Sequence, residues 1–247
     1  MPQKHPDPLS AKLDAAHTAG NWPLLTRLCR QALRKTGRHA KAHRLLGFAL
    51  RQNGDTNAAL DAYRKAAALW PQDAEVLINY ANLLMEQARN FEALPLLEKV
   101  VELRPDHSIC WSKLAQCCYP IGLHQKGFDA SQRALESAAD SAQTIDALNQ
   151  LAVHRRELGQ VQEAVRDCQQ AIALMPDVHF LYTNCLLLML ADPQRGPQDL
   201  MHLASTYGER FEAPLRAQWP SFADRDRAPW RRLRVGFVSP DLRNHSV

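Results

Sequence analysis

At 247 residues, with 46% hydrophobic and 7% aromatic side chains and ten glycines, the chain is long enough to bury a core but lacks the composition of a barrel or sandwich. A formal net charge of +4 implies no nucleic-acid partner by itself, since such partners meet a concentrated basic face. The longest apolar run, Cys185–Ala191, is too short to cross a bilayer and the N-terminus has no apolar stretch of signal-peptide length, so no membrane partner is expected and the expected compartment is cytoplasmic.

The six cysteines fit that compartment. Cys29, Cys110, Cys117, Cys118, Cys168 and Cys185 form no CxxC pair and fall at helix positions, where a thiol packs as a small apolar residue. His39 and His43 lie four apart and could share a helix face, but no third ligand is near, so no metal site is expected.

Along the chain, residues 6–39 carry a loose pattern (Leu9, Leu13, Ala16, Gly20, Leu25, Cys29, Ala32) that sharpens over Ala40–Asp73 into Leu46-Gly47, Leu50, Gly54, Ala59, Tyr63, Ala66 and Pro71. Residues 74–107 repeat it as Tyr80-Ala81, Leu84, Ala88, Ala93, Leu97, Val100 and Pro105, and residues 108–141 as Trp111, Leu114-Ala115, Cys118, Gly122, Gly127, Ser131 and Ala134. After a slip of three residues, Ala142–Thr144, the phase resumes over 145–178 with Leu148, Leu151-Ala152, Gly159, Ala164, Cys168, Ala171 and Pro176. A period of 34 residues with small residues at these slots is that of the tetratricopeptide repeat, a pair of closely packed antiparallel helices. The spacing predicts five repeats over 6–178, a non-consensus capping helix pair over 179–211, and a proline- and charge-rich linker over 212–230.

Stacked helix pairs of this kind predict an all-α, right-handed superhelical solenoid whose first helices line a concave groove. The groove-facing slots hold Arg44, Arg51, Asn79, Asn82, Glu86, Ser112, Lys113, Gln116, Asn149, Gln150, Arg156 and Asn184. Many are amides, which both donate and accept and so can pair with the peptide units of an extended protein or peptide segment. A homo-oligomer formed through the repeats is a second partner that such a surface allows.

The final stretch, RRLRVGFVSPDLRNHSV over 231–247, reads as a buried strand, Leu233 to Val238, running into a turn at Ser239-Pro240-Asp241. A strand with apolar residues on both faces belongs inside a sheet covered by helices, so the chain is expected to be the front part of a larger protein. Repeats, a non-consensus helix pair, a short linker and LRVGFVSPDLRNHSV together resemble the O-linked N-acetylglucosamine transferases, including the Spindly-like and bacterial members. The resemblance implies that 231–247 is the first strand and loop of a truncated Rossmann-like (GT-B) glycosyltransferase domain. It implies further that the repeats recruit acceptor proteins, that the full-length family takes a UDP-sugar donor, and that His245 lies in the catalytic cleft. No cofactor site falls within this chain, which is expected to be inactive alone.

Two other readings compete. Arg44, Asn79 and Lys113 occupy slots resembling those of adaptors that clamp a partner's C-terminal carboxylate, although Phe48 and Ile109 put apolar residues in the other two. The cluster Arg225, Arg227, Arg231, Arg232 and Arg234 has no interleaved aromatic platform beyond Trp230, so it reads as a solvated flank and no nucleic-acid partner is expected.

Overall fold

The computed structural model describes residues 8–37 and 39–219. Over these residues the chain is helical with short turns and contains no strand. Six helix pairs follow one another: α1 (Pro8–Thr18) with α2 (Trp22–Thr36), α3 (Ala40–Gln52) with α4 (Thr56–Leu69), and α5 (Ala74–Glu86) with α6 (Asn90–Leu103). They continue with α7 (Ser108–Cys118) and α8 (His124–Glu136), α9 (Ser141–Glu157) and α10 (Val161–Leu174), and α11 (His179–Ala191) and α12 (Pro197–Tyr207). Each helix packs on its neighbours in chain order, and α3 also touches α1 and α5 while α7 touches α9. This is the contact pattern of a stack rather than of a closed bundle.

Local chemistry starts the helices. Asn21, Asp55, Asp73 and Asp140 cap α2, α4, α5 and α9 by accepting from Leu24, Ala58, Val76 and Gln143 backbone N–H groups at 3.1, 3.1, 3.3 and 2.8 Å. Each satisfies one of the donors that a helix start leaves open. The turns inside the first five pairs each use a residue at positive φ, supplied by Gly20, Gly54, Gly122 and Gly159; between α5 and α6 it is Ala88, at φ 56°.

Small residues then set how closely the helices approach. Ala59, Ala93 and Ala164 are fully buried, and a Cβ added to Gly47 would lie 2.7 Å from the Tyr63 ring. A continuous apolar layer, Leu77, Leu84, Leu97, Val100, Leu114 and Cys118, joins the third and fourth pairs, and the partly buried Leu60 and Ala67 of α4 pack against it. Full burial of a side chain such as Leu97 is worth roughly 1.5–3 kcal/mol.

Two details differ from the sequence expectation. The slipped residues 142–144 do not sit between pairs but form the first turn of α9, which Asp140 caps and which runs for 17 residues against 11 in α7. Extending a helix backwards costs little because each added residue makes its own hydrogen bond. The start of the expected linker is also ordered as helix: α12 runs on through a π-type turn, Gly208–Glu212, and a 3₁₀ turn, Ala213–Gln218, with Pro214 near its start, where no N–H is required. The expected strand and loop at 231–247, His245, and the Arg225–Arg234 cluster lie outside the described residues.

Candidate functional site

The polar slots read from sequence lie on the odd-numbered helices: Arg44 on α3, Asn79 and Asn82 on α5, Ser112, Lys113 and Gln116 on α7, Asn149 and Gln150 on α9, and Asn184 on α11. Residues three apart on a helix share a face, which groups Asn79 with Asn82 and Lys113 with Gln116. Several of these side chains meet across neighbouring odd helices. Arg44 Nη1 lies 2.6 Å from Glu75 Oε2, Arg51 pairs with Glu86, and Asn184 Nδ2 donates to Asn149 Oδ1 at 2.9 Å.

Between α5 and α7 this face opens into a cavity of about 660 Å³. Asn82, Lys113 and Gln116 line it together with Arg51 and Glu86. The structure adds an apolar wall that sequence spacing did not find: Met85, Tyr119 and Pro120. Tyr119 and Pro120 belong to a 3₁₀ turn, Tyr119–Ile121, appended to the short helix α7, and the Tyr-Pro dipeptide just before Gly122 was the available signal. Arg51 is neutralised by Glu86, whereas Lys113 makes a 3.0 Å hydrogen bond to Gln116 and has no carboxylate partner among the described residues. The cavity therefore offers three amides, Asn82, Gln116 and the largely buried Asn90, with one free cation and an aromatic wall.

The other expected positions stand apart from this cavity. Asn149 and Asn184 are joined to one another farther along the stack, with Gln150 half-buried beside them. Asn79 is half-buried. Ser112 corrects the sequence reading: only 3% of it is exposed and its hydroxyl has no partner among the described residues, because α7 turns that side into the packing layer.

Tyr119 links the cavity to a polar cluster beneath it. Arg156 Nη2 donates to Tyr119 Oη at 2.8 Å and to Glu157 Oε1 at 2.5 Å, and this guanidinium holds the Glu157 carboxyl below the usual carboxylate range. The His124 and His154 rings lie 5.7 and 6.1 Å from the Tyr119 ring and 6.0 Å from each other. His154 is fully buried and its Nε2 donates to the Ala115 carbonyl at 3.0 Å. Burial pushes its pKa below the ordinary value, the bond to Ala115 opposing that shift.

Two of the slots for a carboxylate clamp, Arg44 and Phe48, are occupied otherwise. Arg44 is taken up by Glu75, and Phe48 packs against His17 and Trp22 with ring centroids 5.2 and 5.5 Å away. His39 Nδ1 caps α3 and His43 Nε2 donates to the Gly37 carbonyl at 3.0 Å, so both serve the backbone; no group of three or more metal-ligating side chains occurs among the described residues. All six thiols are free and buried, and burial pushes Cys29, Cys118 and Cys168 up to about 12 and Cys117 and Cys185 up to about 11. Among the described residues no helix is long and apolar enough to cross a membrane.

Residues 25–74 and 50–117 each match a family model described as a tetratricopeptide repeat. No curated protein matches the sequence. Among solved structures, the chain is similar to MamA, at 21% identity over 74% of this chain and 97% of that one, with a TM-score of 0.64. It is also similar to a tetratricopeptide repeat protein from Parabacteroides merdae, at 19% identity over 83% of this chain and 77% of the other, with a TM-score of 0.67. A third similar structure is YrrB, described as a TPR protein with an unusual peptide-binding site, at 15% identity over 74% of this chain and 92% of that one, TM-score 0.61. None of these descriptions names a glycosyltransferase.

Proposed function

We propose that this chain, a tetratricopeptide-repeat solenoid, holds an extended segment of a partner protein along the face of its odd-numbered helices. The observation that carries the reading is the cavity between α5 and α7, which Asn82, Gln116 and Lys113 line together with Met85, Tyr119 and Pro120. Amides that donate and accept suit peptide backbone whatever its sequence, and an apolar wall beside them suits an alternate side chain of an extended strand. The bridged pair Asn149–Asn184 continues the same chemistry, and YrrB shows that a solenoid of this fold is described with a peptide-binding site.

The test is a peptide selected from a library of extended segments and measured against the native chain, an Asn82→Ala/Gln116→Ala variant, and an Asn149→Ala/Asn184→Ala variant. Each amide lost should weaken binding by about 0.5–1.5 kcal/mol. Backbone N-methylation of the peptide should weaken it as well, with its side chains unchanged. Undiminished affinity in both variants sinks the groove.

A narrower reading makes the solenoid the acceptor-recruiting arm of an O-linked N-acetylglucosamine transferase-like protein. Its support is the sequence LRVGFVSPDLRNHSV at 233–247 and its place after the repeats. In that reading a UDP-sugar is the donor and His245 belongs to the cleft. Incubating UDP-N-acetylglucosamine and acceptor proteins with the 247-residue chain should give no transfer, and a chain carrying both catalytic lobes should give it. Full activity of that longer chain with His245→Ala removes the histidine from the site.

A further inference from the structure

Helix α2 differs from every other even-numbered helix in its charge. From Ala15 to Gly54 the sequence contains no Asp or Glu and eight Lys or Arg residues: Arg27, Arg30, Arg34, Lys35, Arg38, Lys41, Arg44 and Arg51. Three of these stand on α3 and are neutralised from neighbouring helices, Lys41 by Asp14, Arg44 by Glu75 and Arg51 by Glu86. Arg27, Arg30 and Arg34 on α2 are exposed and have no carboxylate partner among the described residues. Exposed arginines on the other even helices do have one: Arg64 pairs with Asp61 on α4, Arg133 with Glu136 on α8 and Arg166 with Glu163 on α10.

The three free arginines also share a site. At spacings of three and four they lie on one face of α2, and with Pro23, Thr26 and Leu33 they line a concavity of about 630 Å³. Like charges at this spacing repel, so an anion set among them relieves an unfavourable term as well as adding its own contacts. None of the residues lining this concavity belongs to the groove on the odd helices, so the two surfaces can be engaged separately.

We infer that this face of α2 is a second binding surface, fitted to an acidic segment of a protein partner. Guanidinium forks donate bidentately to carboxylates, which favours a segment carrying Asp or Glu side chains. A single-stranded nucleic acid would need exposed aromatic rings to stack on, and the aromatic residue of α2, Trp22, is packed edge-on against Phe48. A bilayer would need protruding apolar side chains, and no large hydrophobic residue of α2 is among the exposed ones.

The experiment compares two variants of equal net charge in the full chain. Arg27→Gln/Arg30→Gln/Arg34→Gln removes the three free arginines; Arg64→Gln/Arg133→Gln/Arg166→Gln removes three paired ones that are 68, 66 and 64% exposed. The probes are a fluorescent glutamate-rich peptide, an oligouridine RNA and vesicles containing phosphatidylserine. The native chain should bind the peptide at low salt, the α2 variant about tenfold more weakly, and the control variant within about twofold of the native chain. Raising the salt from about 50 mM to about 0.5 M should abolish most of the binding. Equal losses in the two variants would show a response to net charge alone and overturn the site. Failure to bind the peptide overturns it too, and tighter α2-dependent binding of the RNA or the vesicles assigns the face to a different partner class.

Discussion

The imidazole of His154 fills the space that a side-chain methyl on Gly127 would need. His154 projects from α9, Gly127 lies in α8, and the ring reaches past it to the Ala115 carbonyl of α7, so one buried histidine ties three helices together. In three other pairs the slot equivalent to Gly127 holds a buried alanine, Ala59, Ala93 or Ala164.

Gly127→Ala should therefore destabilise the protein. At an open helix position the same change adds about 1 kcal/mol of helix propensity, whereas forcing a methyl into a filled core costs about 1–3 kcal/mol. A lower urea midpoint with an unchanged slope is the expected result. His154→Ala should restore part of the loss in the double variant, since the two residues contest one volume.

Stability should fall on mild acidification because of the same histidine. Its folded-state pKa lies below the ordinary value of 6.5, so below that pH the unfolded chain takes up the proton first. The stabilising contribution is complete above about pH 6.5 and is lost as pH falls from there through the folded-state value. The groups acting on the ring are His124 from α8, Tyr119 from the turn after α7, and Glu157 on α9, with Arg156 one step away on the Tyr119 hydroxyl. Urea titrations between pH 7.5 and pH 5 should show this slope in the native chain and a flatter one in His154→Gln; equal slopes would place the titration elsewhere.

Ala88→Gly should stabilise the chain. Ala88 is the one non-glycine residue with positive φ among the described residues, in a turn where the equivalent positions are Gly54, Gly122 and Gly159. A left-handed backbone costs an L-residue roughly 1–2 kcal/mol, and glycine returns part of that as unfolded-state entropy. A net gain of about 0.5–1 kcal/mol in thermal or urea unfolding is expected.

Arg155 and Asp167 join α9 to α10, with both carboxylate oxygens 2.6 Å from Arg155 Nη1 and side chains 20 and 9% exposed. The guanidinium also lies 5.6 Å from the Phe128 ring centroid. Asp167→Ala leaves a mostly buried cation unpaired and should cost about 3 kcal/mol, while Arg155→Met/Asp167→Leu, which removes both charges, should cost far less. Equilibrium unfolding of both variants checks the comparison; equal losses would mean that packing, not charge, dominates the site.

The sequence by itself determined the helical stack. Small residues recurring at 34 residues, aspartates before helices and glycines after them are local instructions, and each repeat meets only its neighbours, so local pattern and global fold coincide. That is why the slots at Ala59, Ala93 and Ala164 could be read without coordinates, and why Asn82, Lys113 and Gln116 could be named as one polar face. Tertiary structure decided what depends on the distance between helices. The close fit of His154 over Gly127, the burial of Ser112, the apolar wall of Tyr119 and Pro120, and the neutralisation of Arg44 by Glu75 while Arg27, Arg30 and Arg34 stay free all arise across a gap of a few ångströms between residues far apart in sequence. A one-dimensional period gives which face a residue takes, but not what stands opposite it, and burial and electrostatics depend on the latter.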